Sequence, residues 1–150
     1  MKEETQLVLD PKDWEIIHLL RAGVISNSAI ARKLDVSEGM IRKRIKRLRD
    51  LGIVSLRGLI NTEMLHNNQV VWLGMNLSES RLLDNKAREI TELPQVLSVS
   101  VVSGRYDLIV EVLVDAHRGL FNFLTQVLPN IDGIVKTESF VTLKTYAKHV

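Results

Sequence analysis

Between Ser37 and Asp50 the chain carries Arg42, Lys43, Arg44, Lys46, Arg47 and Arg49, against only Glu38 and Asp50. Ile41, Ile45 and Leu48 recur in the same stretch at i, i+4 and i+7, which predicts the buried face of a helix. At about 100° per residue, Gly39, Arg42, Lys43, Lys46 and Arg47 then stand on the opposite face. That face is read as unmatched by acids at four-residue spacing, unlike a merely salt-bridged surface helix. A duplex major groove about 12 Å wide accepts such a helix, where Arg and Lys bond guanine edges or phosphates. Ser37, Glu38 and Gly39 at the helix start, with Arg42, Lys43, Lys46 and Arg47, are the candidate DNA contacts. Ser37 reads first as the N-cap. Gly39 costs about 1 kcal/mol of helix propensity relative to alanine, and permits close backbone approach.

The second signal is Gly104-Arg105-Tyr106-Asp107, between two β-branched runs. Glycine supplies the positive φ of a hairpin, and aspartate accepts from backbone amides in a turn. A turn does not call for the bulky Arg105 and Tyr106. Beside a sheet edge they fit recognition of a small zwitterion, which needs donors for its carboxylate and an acceptor for its ammonium. Asp107 is either that acceptor or a residue that orders the turn. Arg105 either favours a carboxylate-rich ligand or faces solvent.

Enzymatic motifs are missing: no G-x-G-x-x-G, no phosphate loop, no G-x-S-x-G and no H-E-x-x-H. The histidines, His18, His66, His117 and His149, are scattered without metal-ligand spacing, and there is no cysteine. No catalytic residue, metal or cofactor is therefore expected, and disulfides and thiolate sites are excluded. The chain has 150 residues, 45% hydrophobic and 25% charged, with 8 Gly and 3 Pro, a globular composition and not a disordered one. No apolar run reaches the roughly 20 residues of a membrane span, and the acidic, polar start is not a signal peptide. A cytoplasmic protein is expected. From Met1 to His66 there are 12 basic and 9 acidic residues, and from Asn67 onward 8 and 9. Such a local excess points to a local anionic partner.

The elements that must position these residues fall into two blocks. In the first, Asp10 caps a helix with Pro11 at its first position and Asp13 in the first turn, ended by Gly23. Ser26 caps a second helix through Leu34, with Ile30, Ala31 and Leu34 inward. Asp35-Val36 allows only a tight turn before Ser37, and Gly52 closes the third helix. This is helix-turn-helix spacing. Residues 53–60 are β-prone and read as a wing or a connector strand. Trp14 and Trp72 are expected in the core. In the second block, Gln69–Leu77, Val96–Ser103, Leu108–Val114 and Gly133–Tyr146 read as strands. Ser78–Leu93, capped by Ser78, and Asp115–Leu128 read as helices. The order βαββαβ predicts one antiparallel sheet with both helices on one face. The other face, with Val102, Ile109 and Leu113, is expected to meet another subunit.

Several of these pieces combine into a family pattern. They are Leu9-Asp10 with Asp13 and Ile16-Ile17, Ser26 with Ile30-Ala31-Arg32-Lys33-Leu34, and Val36-Ser37 with Arg44-Ile45-Lys46-Arg47-Leu48. Gly52-Ile53-Val54, Gly104-Arg105-Tyr106-Asp107-Leu108 and Gly133-Ile134-Val135 with Thr137 complete the set. The combination resembles the Lrp/AsnC (feast/famine) transcription regulators from about Leu9 to Tyr146. The resemblance implies an α+β chain: a winged-type helix-turn-helix domain (1–60), a linker (61–68) and a ferredoxin-like βαββαβ effector and oligomerisation domain (69–150). It implies double-stranded DNA as partner, an amino acid as the usual effector, and dimers paired through their sheets that often form octamers. Effectors in the family bind between dimers near the hairpin and the last strand. Carried onto this chain, that gives Gly104, Arg105, Tyr106 and Asp107, with Thr137 and Ser139. Glu38-Gly39-Met40 departs from the hydroxylic or proline residues common at that point, which leaves base preference open. Siroheme decarboxylases look similar and use His, Tyr and Arg, so His117 and Arg118 keep an enzymatic alternative in view. A sensing or assembly protein without DNA binding is the third reading.

Overall fold

Asp10 and Asp13 cap the first helix reciprocally. The Asp13 N–H donates to Asp10 Oδ1 at 2.8 Å, and the Asp10 N–H donates to Asp13 Oδ2 at 3.3 Å. The helix is α1 (Pro11–Arg21), and Pro11 fits its first turn because an N–H there has no partner within the helix. The computed structural model describes residues 9–24, 26–56, 58, 60–61, 64 and 67–145, and divides the chain into two units, Met1–Gly58 and Leu59–Val150. Arg57, Leu59, His66, Tyr146 and His149 lie outside the described residues.

In the first unit, α2 (Asn27–Leu34) and α3 (Glu38–Asp50) begin at Ser26 and Ser37, whose hydroxyls accept from the Ala29 and Met40 N–H groups. Asp35 adopts the left-handed conformation, with φ 51°, and the Val36 N–H returns to the Ala31 carbonyl. The turn is therefore as tight as its sequence predicts. Ile16, Ile30, Ala31, Ile41, Ile45 and Leu48 form the core, with Ile53 and Val54 packed against it. The described residues of 53–60 form no strand. Among the described residues of this unit no strand offers a ladder, so β propensity alone does not make one. Trp14 is half exposed and lies against His18 in place of the expected core position.

Asp13 is fully enclosed, and two arginines of α3 meet it. Arg44 Nη1 donates to Asp13 Oδ1 at 2.7 Å and to Asp10 Oδ2 at 2.6 Å, while Arg47 Nη1 reaches Asp13 Oδ2 at 3.1 Å. A carboxylate without water is tolerated only when charged donors replace the water. These bonds tie the start of α1 to the middle of α3.

The second unit builds the sheet β2-β3-β1-β4 from β1 (Asn68–Leu77), β2 (Val96–Val101), β3 (Leu108–Asp115) and β4 (Ile134–Val141), all neighbours antiparallel. Val71, Leu73, Met75 and Leu77 alternate onto the helix side with Leu108, Val110, Val112 and Val114. They pack against Ile90 of α4 (Leu83–Thr91) and against Phe123 and Leu128 beyond α5 (Gly119–Asn122). The opposite face carries Trp72, Ile109 and Leu113, which are partly exposed, and Glu111, which is buried.

Both helices differ from their expected extents. Ser78 is not a cap: its N–H donates to the Gly133 carbonyl, Ser80–Leu82 form a 3₁₀ turn, and α4 starts only at Leu83. Asp115 stays on β3, where its carboxylate accepts from the His117 and Arg118 N–H groups and holds a turn. Those two bonds also keep the Asp115 carboxyl below its ordinary pKa. After α5 the backbone loosens into a π-helical segment, Phe123–Val127, and tightens to 3₁₀ at Leu128–Asn130. Pro129, which lacks an N–H, falls in this last turn. Among the described residues no helix is long and apolar enough to cross a membrane.

Because Asp13 anchors both arginines from inside, Asp13→Ala should destabilise the first unit by about 3 kcal/mol. Chemical denaturation of the full chain, followed on the transition of that unit, checks this. A loss below about 1 kcal/mol would mean that the arginines solvate well without it.

Candidate functional site

The basic helix separates into residues with different tasks. Arg44 faces inward and is committed to Asp13 and Asp10. Hydrogen bonding to Arg44 holds the Asp10 carboxyl below its ordinary value, and bonds to Asp10 and Asp13 push the guanidinium higher. The outer face is not unmatched, in contrast to the expectation from its spacing. Arg42 pairs with Glu38 at 2.7 Å and Lys46 with Asp50 at 2.6 Å, since each acid stands one helical turn from its base. Both pairs are well exposed, and such pairs contribute only about 0.3–0.5 kcal/mol. Lys43 and Arg49 are exposed and form no ion pair among the described residues. Arg47 is half exposed and shared with Asp13. A Cβ added at Gly39 would meet open space, so the start of α3 offers bare backbone beside the Ser37 cap.

The hairpin gathers a second cluster. Gly104 has φ 134°, a conformation that favours glycine. Asp107 is tied into the sheet from both ends: its N–H donates to the Met75 carbonyl at 2.9 Å, and its Oδ2 accepts from the Leu77 N–H at 2.8 Å. Tyr106 folds back over Gly74, where a Cβ would come within 2.8 Å of the ring, and meets Phe140 edge-on at 6.1 Å. Its hydroxyl donates to Glu138 Oε2 at 2.5 Å. The Arg105 guanidinium reaches the same oxygen at 3.1 Å and lies 5.5 Å from the Tyr106 ring centroid. The Asn76 side-chain amide donates to the Arg105 carbonyl oxygen at 2.9 Å.

Glu138 was not among the expected site residues. In the β1–β4 register it pairs with Gly74, while Thr137 and Ser139 pair with Met75 and Leu73, whose side chains are in the helix-side core. Side chains alternate along a strand, so Thr137 and Ser139 stand on the other side of the sheet from Glu138. Thr137 borders a separate hollow there with Leu124, Ile131 and Gly133. Sequence spacing fixes the alternation but not which member faces Tyr106.

Two family models match the chain: winged helix-turn-helix DNA-binding over residues 9–55, and the Lrp/AsnC ligand binding domain over residues 69–150. The chain belongs to the Lrp/AsnC family of transcriptional regulators. The HTH-type transcriptional regulator FL11 of Pyrococcus furiosus is 27% identical over 141 residues, covering 93% of this chain and 92% of its own. An HTH-type transcriptional regulator of Pyrococcus abyssi is 31% identical over 139 residues, covering 91% and 93%. In fold, the chain is similar to the feast or famine regulatory protein of M. tuberculosis complexed with L-methionine. The TM-score is 0.76 at 22% identity, over 94% of this chain and 96% of that one. None of these relatives supports the decarboxylase-like reading, and His117 and Arg118 stand in an exposed turn.

Two expectations follow from the hairpin geometry. Gly74→Ala should cost about 1–3 kcal/mol by forcing the Tyr106 ring off the sheet, and most of that cost should vanish in a Tyr106→Ala background. Denaturation of the two single variants and the double variant measures the coupling; an unchanged cost would remove Tyr106 as its cause. The hydrogen bond to Glu138 also pushes the Tyr106 phenol above its ordinary value of 10.0. The folded state therefore holds this proton more tightly than the unfolded one. The stabilisation is complete below pH 10 and is lost as pH rises through the raised folded value. Glu138→Gln should bring Tyr106 ionisation back toward 10.0, read by near-ultraviolet difference absorbance. An identical titration in the variant would contradict this.

Proposed function

We propose that this regulator reads duplex DNA with α3 in the major groove, one helix from each half of a symmetric dimer. The observation that carries the proposal is the outer face of α3, held out by the Asp13 cluster beneath it. Lys43, with no ion pair among the described residues, can take a phosphate. Arg42 and Lys46 can exchange weak exposed pairs for DNA, because those pairs contribute little in water. Ser37, Glu38 and Gly39 form the entry of the helix, and Arg47 contributes its half-exposed guanidinium while still bonded to Asp13. Residues 1–60 form the DNA-binding domain, 61–68 the linker and 69–150 the sensing and assembly domain. The reading takes this regulator as cytoplasmic, and nothing in it calls for catalysis.

An amino acid is the proposed effector, held at Gly104, Arg105, Tyr106 and Asp107. The family model over residues 69–150 and the L-methionine complex of the M. tuberculosis relative support it. Thr137 and Ser139 flank the same strand from its other side. The sheet face that its own helices leave open, with Trp72, Ile109 and Leu113, supports pairing of two copies, and higher assembly to an octamer follows the family pattern. A ligand that prefers one assembled state shifts the population by its differential affinity, and DNA affinity with it.

Full-length protein titrated with a duplex from its own upstream region, across a salt series, tests the DNA reading. Wild type should show a steep salt dependence, and Lys43→Ala should flatten the slope by about one unit without changing the melting temperature. Unchanged affinity and slope in that variant would remove α3 as the DNA-reading element.

A further inference from the structure

The entry of α3 places an acid where a polyanion is to be bound. Glu38 is the first residue of α3, and its side chain is 47% exposed. Its Oε1 accepts at 2.7 Å from Nη2 of Arg42, one helical turn on, whose side chain is 70% exposed. Oε2 has no partner among the described residues. Ser37 caps the Met40 N–H, and a Cβ at Gly39 would meet open space, so no side chain crowds the carboxylate on that flank. An acid here suits the positive end of a helix, but DNA phosphates repel it. Arg42 offsets that repulsion only while the pair lasts, and a pair this exposed contributes little in water. Once Arg42 turns to DNA, the cost of Glu38 is recovered only at a base edge that donates to it.

We infer that Glu38 is a specificity-determining residue that accepts the amino N–H of a cytosine in the major groove. This rests on the reading of α3 as the DNA-reading helix. Base edges in that groove offer hydrogen-bond donors at two places, cytosine N4 and adenine N6. Guanine N7 and O6 and thymine O4 are acceptors, so both bases repel a carboxylate. Adenine carries its acceptor N7 beside the amino group, which opposes the second carboxylate oxygen. Cytosine presents the amino group alone. Arg42 has the complementary chemistry, because its donors can turn from Glu38 to O6 and N7 of the guanine in the same base pair. Glu38 and Arg42 together therefore match a C·G pair, and at every other base Glu38 faces an acceptor. Lys43 on a phosphate then supplies affinity, while Glu38 supplies selection.

The test compares full-length wild type and Glu38→Gln in selection from a pool of randomised duplexes. Glutamine keeps the length of the side chain and an acceptor for Arg42, but its amide suits adenine N6 and N7. A thermal melt verifies the fold of the variant. Wild type should enrich a C·G pair in each half-site. The variant should lose that preference or exchange it for A·T, with the other selected positions unchanged. On defined duplexes, replacing this C·G pair by T·A should weaken wild type about tenfold and the variant about twofold or less. For a non-specific duplex the variant should bind as well as wild type or better, since a charge of the same sign as the phosphates has been removed. A merely structural residue would weaken every duplex alike. Uniform weakening, or the same selected site for both proteins, would overturn the inference, with the α3 reading still standing if Lys43→Ala flattens the salt slope. Wild type that selects no sequence would overturn it too, and an unchanged slope in Lys43→Ala would then remove the α3 reading as well.

Discussion

A single enclosed carboxylate sets the geometry of the DNA-binding unit. Asp13 has no contact with solvent, and its charge is balanced by Arg44 and Arg47 from a helix more than 30 residues away. Removing Asp13 takes from both arginines the one carboxylate they share, and the shared bonds make the relative placement of α1 and α3 a discrete state and not a soft one. Apolar contacts among Ile16, Ile41, Ile45 and Leu48 are less directional, and would tolerate a small rotation of α3. The ion cluster is less tolerant. It fixes which cations of α3 face inward and therefore which remain for a polyanion.

The same economy of charge appears at the hairpin. There the ion pair is half exposed and held by an aromatic ring, which in turn requires glycine on the neighbouring strand. One unit thus uses arginine to bind its own chain, and the other leaves an arginine and a glutamate with spare bonding capacity. Burial explains the difference. Enclosed charges must be saturated by the protein itself, whereas half-exposed ones are completed by water or by a ligand that replaces it.

Much of this was legible in the sequence wherever the determinant was local. Asp10, Ser26 and Ser37 cap as read, since a cap involves residues two or three apart. The βαββαβ order followed from period and turn residues, and the observed sheet order β2-β3-β1-β4 agrees with it. Long-range pairing was not legible. Nothing near Asp13 announces partners at positions 44 and 47, and helix periodicity puts Arg47 on the outer face. The resemblance points to Thr137 and Ser139, whereas strand register, which no local spacing gives, sets Glu138 beside Tyr106. The pairs Arg42–Glu38 and Lys46–Asp50 were local, however, and one-turn spacing was enough to find them. Ser78 is no cap because a 3₁₀ turn intervenes and α4 starts only at Leu83, while its N–H is tied to Gly133 across more than 50 residues.

The central proposal is that one chain joins a DNA-reading helix to an effector-sensing hairpin and that each responds to the other. Binding free energies are linked, so an effector that changes DNA affinity must have its own affinity changed by the same factor. The most direct measurement is the affinity of the full-length protein for its upstream duplex, by fluorescence anisotropy at one fixed salt concentration, with and without a saturating amino acid. The account predicts a shift of about fivefold or more, in either direction, that disappears when the hairpin site is removed by Tyr106→Ala. Superimposable DNA-binding curves at saturating amino acid would contradict it.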